Sequence, residues 1–168
     1  MHFDYDDYRC FIAALTTSRR IDAAPHDLAR VLRHPRLFTP SPADRQRPHP
    51  ITIDLDPVPE GRGAVTLHCS QSGISERHSL RTRHLSTWRL TAETGDDEAV
   101  RDVRRAHTFA LTVDLIPLLQ PGPAIATRVI LSFRFVCEPW WPHDIAGALG
   151  SLADIWLRRL EELATAGY

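Results

Sequence analysis

Histidine is the side chain whose ordinary titration range spans neutral pH, so proton-transfer chemistry is sought there first. The chain has 9 histidines. His107 stands out because it opens the run Arg105–Leu115, in which His107, Phe109, Leu111, Val113 and Leu115 recur at every second position. In an extended chain such positions share one face. An imidazole on that face could take a proton from an enolisable molecule and return it elsewhere. The competing assignment is a strand-end histidine whose ring is hydrogen-bonded or wet. His84 stands in the same relation to Trp88 and Leu90 if its strand is regular, since a slip of one residue reverses every side chain. His107 and His84 are therefore the candidate catalytic residues.

Other chemistry-bearing groups read differently. Arg83 and Arg89 fall opposite Trp88 in that register and are expected in solvent. A one-residue slip would turn them inward, where a guanidinium could hold an enolate or carboxylate. Asp114 and Arg128 belong to polar faces and read as structural. There is no glycine-rich phosphate loop, no H-E-x-x-H and no Gly-x-Ser-x-Gly. His78 and His84 lack metal-ligand spacing, so neither a metal nor a cofactor is expected. Cys10, Cys69 and Cys137 are odd in number and far apart, which argues against a disulfide framework or structural zinc.

The scaffold that must position these groups is bounded by composition. The chain has 168 residues, 43% hydrophobic and 24% charged, with a net charge of -1, which suits one globular domain and gives no basic excess for nucleic acid. All 20 basic residues other than histidine are arginine, and Asn is absent as well; a GC-rich bacterial genome accounts for this, with an Arg requirement for phosphate or carboxylate binding as the alternative. The acidic start lacks a signal-peptide apolar run, and no stretch is long enough to span a bilayer, so a cytoplasmic protein is expected.

Residues 1–9 read as a loose arm. Phe11 to Ile21 is extended, and Pro25 opens a short helix with Leu28, Val31 and Leu32 at helical spacing. Pro35 halts it. The five prolines from Pro35 to Pro50 forbid a long regular element, with a helical turn near Ser41–Arg45 as the most they allow. This stretch is either a rim over a binding site or a rigid surface connection. Strands follow at Ile51–Leu55, at Ala64–Gln71 after a turn at Gly61–Gly63, and within Glu76–Thr94, which divides into two at a point no Gly or Pro marks. Arg105–Leu115 and Ile125–Cys137 alternate most cleanly, as antiparallel strands with one wet face do. After Pro142, Ile145, Leu149, Leu152, Trp156, Leu160 and Leu163 form one helical stripe, with Asp154, Arg158, Arg159, Glu161 and Glu162 off it. Gly147 and Gly150 weaken that helix unless the sheet, a ligand or a bend comes close to them. Trp140-Trp141 reads as a core anchor at its start. The fold class is α+β, a curved antiparallel sheet of about seven strands around a long C-terminal helix.

This order resembles the START/polyketide cyclase-like superfamily, also called SRPBCC or helix-grip. Three places carry the resemblance: Ser18-Arg19-Arg20-Ile21-Asp22-Ala23-Ala24-Pro25-His26-Asp27-Leu28, Pro123-Ala124-Ile125-Ala126-Thr127-Arg128-Val129, and the terminal helix with Leu157-Arg158-Arg159-Leu160 near its end. It covers roughly residues 10 to 165. The Trp usual in the first helix region of that superfamily is replaced here by Val31-Leu32. The resemblance implies a cavity between helix and sheet for a small hydrophobic molecule. Its candidate walls are Trp88, Phe109, Leu111, Phe133 and Phe135 from the sheet and Ile145, Leu149, Leu152 and Trp156 from the helix. It further implies a cyclase, aromatase or dehydratase of bacterial secondary metabolism. A non-catalytic carrier or sensor and a protein-interaction module are the alternatives, and a homodimer is left open.

Overall fold

The computed structural model describes residues 11–38, 50–56, 61–71, 73, 75–94, 109–119, 125–137 and 142–168. The period-two runs become seven strands: β1 (Phe11–Ile21), β2 (Ile51–Asp56), β3 (Gly61–Cys69), β4 (Ser75–Ser86), β5 (Arg89–Thr94), β6 (Phe109–Leu118) and β7 (Ala126–Cys137). The period-3.6 runs become α1 (Pro25–Val31), the single turn α2 (Pro35–Phe38) and α3 (Pro142–Thr165). The arm 1–9, the proposed turn at Ser41–Arg45 and the pair Trp140-Trp141 lie outside the described residues.

One sheet holds all seven strands in the order β1-β7-β6-β5-β4-β3-β2, every pairing antiparallel. The first strand thus closes against the last, and β1 and β2 form the edges. Helix α3 packs closely on both edges, on β1 and on β2, as well as on β7, α1 and α2. Seven strands laid flat would span roughly 29 Å, whereas a helix is about 10–12 Å across. For both edges to reach one helix the sheet must curl strongly around it, in the direction its natural twist allows. The middle strands β4 and β5 are not among the elements on which α3 packs this closely.

The core lies between the concave face and the helix. Leu90, Phe109, Leu111, Val113, Val129, Leu131 and Phe135 of the sheet are fully buried, as are Ile145, Leu149 and Leu160 of α3. The helical stripe is wider than the spacing predicts: Ala148, Ala153 and Leu157 are buried too.

Several local expectations need correction. Gly61–Gly63 does not turn the chain but belongs to β3, and the positive φ of Gly61 (119°) sits at that strand's first residue. The helix α1 ends before Pro35, and Pro35 then opens α2, as a residue without an N–H readily does. The strand β6 runs on to Leu118 through Pro117, which it pairs with Thr127 of β7. Arg159, expected on the wet side of α3, is 8% exposed, and its Nη1 donates to the Leu37 carbonyl at 3.1 Å. Gly150 serves no close approach, since a Cβ built there meets nothing within 4 Å.

Candidate functional site

The concave face of β4 carries polar side chains among apolar ones. Alternation along the strand places His78, Leu80, Thr82 and His84 on that face, and cross-strand pairing fixes their neighbours. His78 lies opposite Val65, Leu80 opposite Gly63 and Thr94, Thr82 opposite Gly61 and Ala92, and His84 opposite Leu90. The row continues from Ala92 to Leu111 and Phe133, and from Leu90 to Val113 and Leu131. Both histidines are half-buried, while Leu80 and Thr82 are buried. His84 therefore points to the side expected of it, in an apolar setting made by Leu90 and Val113.

Thr82 was not foreshadowed by spacing. It is 1% exposed, and its Oγ1 has no hydrogen-bond partner. Buried hydroxyls nearly always have one, because an unmade bond costs roughly 1–3 kcal/mol. The only sequence signal would have been a polar residue in register with Leu80 and Leu90, and an unmarked strand break hid that register. Two other threonines on this side are engaged. Thr94 Oγ1 accepts the Phe109 N–H at 3.0 Å, and Thr127 Oγ1 donates to the Ala23 carbonyl at 2.7 Å.

The remaining predicted site residues separate into groups. Phe109, Leu111, Phe133 and Phe135 face the helix from β6 and β7, and Ile145, Leu149, Leu152 and Trp156 face them from α3; all are buried. Phe109 is tilted against Phe133 with ring centroids 6.3 Å apart and edge-on to Phe135 at 6.4 Å, so its ring packs on both. Trp88 is elsewhere. It stands in the turn between β4 and β5, 45% exposed, with Leu85 beside it on the solvent side at 60%. The cause is a shift of register between His84 and Ser86, a bulge that takes up one residue and removes Trp88 from the inward series. His107 lies outside the described residues. Arg83 and Arg89 are exposed on the convex side, as their alternation predicted. Arg89 Nε donates to the Asp114 carboxylate, and this hydrogen bond, then the charge attraction, raises the Arg89 pKa above its ordinary value. That pair is remote from the concave face.

No protein-family model and no curated protein matches the sequence. Solved structures do match. A START superfamily protein from Mycobacterium smegmatis superposes with a TM-score of 0.52 at 10% identity over 91% of this chain and 97% of that one. The chain has the START/polyketide cyclase-like helix-grip fold. Norcoclaurine synthase from Thalictrum flavum, in complex with dopamine and hydroxybenzaldehyde, gives a TM-score of 0.53 at 10% identity over 91% of this chain and 88% of that one. The di-domain ARO/CYC BexL gives 0.53 at 14% identity over 91% of this chain and 50% of that one. The helix-grip arrangement common to these proteins sets the concave sheet face of this chain against α3. Among the described residues, no helix is long and apolar enough to cross a membrane.

Proposed function

We propose that this helix-grip chain holds a small, largely apolar molecule between the concave face of the sheet and α3. We propose further that it acts on that molecule as a bacterial cyclase, aromatase or dehydratase, by proton transfer. The observation that carries the reading is the polar series on β4: a half-buried imidazole at His84 and a buried hydroxyl at Thr82, set among the apolar side chains of Leu80, Leu90, Ala92 and Leu111. A core made only for packing gains nothing from such groups. A guest with polar atoms does, since it is oriented by the few polar groups on an apolar wall. Two structures with this fold, norcoclaurine synthase and the ARO/CYC BexL, carry the names of enzymes, which supports a catalytic use.

In this reading His84 and His107 shuttle a proton to and from an enolisable carbon, with the apolar walls excluding water. The test is turnover of a synthetic poly-β-ketone thioester, followed by mass spectrometry. His84→Ala and His107→Ala should each lower the rate by about 10²-fold or more, the usual contribution of a positioned acid or base, with unchanged circular dichroism. Wild-type rates in both variants would remove the histidines from the mechanism. Recovery of a bound molecule that is chemically unchanged after incubation would make the chain a carrier.

A further inference from the structure

The concave face is poor in side-chain bulk on one side of Leu90, toward the end at which the exposed Gly61 begins β3. Where β3, β4 and β5 run side by side, the residues facing inward are Gly61 and Gly63 of β3, Thr82 of β4 and Ala92 of β5. Gly61 and Gly63 present bare backbone to that face, and Ala92 a single methyl. This is also the region on which α3 does not pack closely, its close sheet contacts lying on β1, β2 and β7. Small residues alone would say little. The independent observation is Thr82 in their midst, 1% exposed with an Oγ1 that bonds to nothing.

We propose that the Thr82 hydroxyl is the polar anchor of the ligand site, and that its partner is an uncharged oxygen, a ketone or hydroxyl, on an otherwise apolar guest seated over Gly61, Gly63 and Ala92. The proposal rests on the ligand-binding reading above and adds the ligand's chemical class and the residue that selects it. A threonine hydroxyl both donates and accepts, so it serves either oxygen type. A carboxylate is disfavoured, because burying a charge costs far more than one hydroxyl returns. Among the described residues, the arginines that reach the helix side of the sheet are committed elsewhere. Arg19 pairs with Glu161 at 3.7 Å, and Arg159 donates to Leu37.

Three bicyclic probes of similar size separate the outcomes by calorimetric titration of the full chain: 2-naphthol, 2-methylnaphthalene and 2-naphthoate. The wild type should bind 2-naphthol about ten-fold more tightly than 2-methylnaphthalene, the worth of one net hydrogen bond, and bind 2-naphthoate most weakly. Thr82→Val should weaken 2-naphthol about ten-fold and leave 2-methylnaphthalene unchanged, while Thr82→Ser keeps the preference. The Val variant should melt at the same or a higher temperature, since it removes a hydroxyl that stabilises nothing in the free protein. A lower melting temperature for Thr82→Val with rescue by Ser would assign the hydroxyl to the fold and overturn the proposal. So would equal binding of 2-naphthol and 2-methylnaphthalene by the wild type, or tighter binding of 2-naphthoate, although the ligand-binding reading survives either. Binding of no probe would overturn both.

Discussion

Thr127 shows how a short sequence motif acquires a physical meaning. Its side chain is fully buried in register with Ile21, and its hydroxyl donates to the carbonyl of Ala23, just before α1 begins at Pro25. The stretch Ser18–Leu28 and the stretch Pro123–Val129, two of the three places that carry the family resemblance, therefore meet in space. The Thr of Thr127-Arg128-Val129 fastens the approach to α1 onto β7, and Arg128 is turned to solvent. Arg159 does comparable work from the helix. A buried guanidinium is tolerated only where its donors are used, and here one serves the carbonyl of the buried Leu37. Arg159→Met keeps the packing of the stem but removes that donor. Its expected cost is about 1–3 kcal/mol, the price of leaving a buried acceptor unmade. Urea denaturation checks it, and an unchanged midpoint would mean that the carbonyl finds water instead.

At the scale of elements, α3 is the piece whose identity was plain and whose details were not. A stripe at spacings of three and four specifies a helix with one buried side, and Ile145, Leu149, Trp156 and Leu160 are all buried. A glycine at position 150 implies that the sheet, a ligand or a bend comes close to it. The space beside it is open instead, so the glycine weakens the helix without a compensating contact among the described residues. Gly150→Ala should therefore stabilise the protein by about 0.5–1 kcal/mol, read as a rise of about 1–4 °C in melting temperature. A fall would reveal a contact at that position. The hairpin of β4 and β5 shows the opposite case. Its strands were expected, but their boundary falls at Thr87-Trp88, where no Gly or Pro announces it. The bulge at Leu85 then decides which side chains face in, keeping His84 on the concave face while Trp88 goes to solvent.

At the scale of the molecule, closure is the dominant fact. The sheet joins its first and last strands, with Phe11 in register with Cys137, so neither β1 nor β7 is complete without a contact across almost the whole sequence. The helix α3 then holds the two free edges, β1 and β2, and reaches past them to α1 and α2. The helix packs less closely on β4 and β5, which is where a guest is proposed to sit. A guest that binds only the closed form should stabilise the whole fold. At a free concentration 100-fold above its Kd the gain is about 2.7 kcal/mol, measurable as a melting temperature that climbs with ligand concentration. A flat response to 2-naphthol at such concentrations would argue against an internal site and for use of the outer surface.

The sequence by itself determined the seven strands and the long C-terminal helix. Alternation marks strands and a three-four stripe marks a helix, and both are local properties that survive without knowledge of what lies opposite. It also set the inward faces of β6 and β7, from Phe109 to Leu115 and from Val129 to Phe135, because no bulge interrupts their alternation. Only the tertiary structure decided the inward face of β4 and β5, since register there depends on a bulge and on pairing with β3 and β6. The same dependence turns Trp88 to solvent although alternation points it inward, and buries Thr82; packing against the Leu37 carbonyl likewise buries Arg159 although it stands off the apolar stripe. A threonine in a polar strand looks ordinary until its neighbours across the sheet prove to be glycine and alanine, and its hydroxyl is buried without a partner.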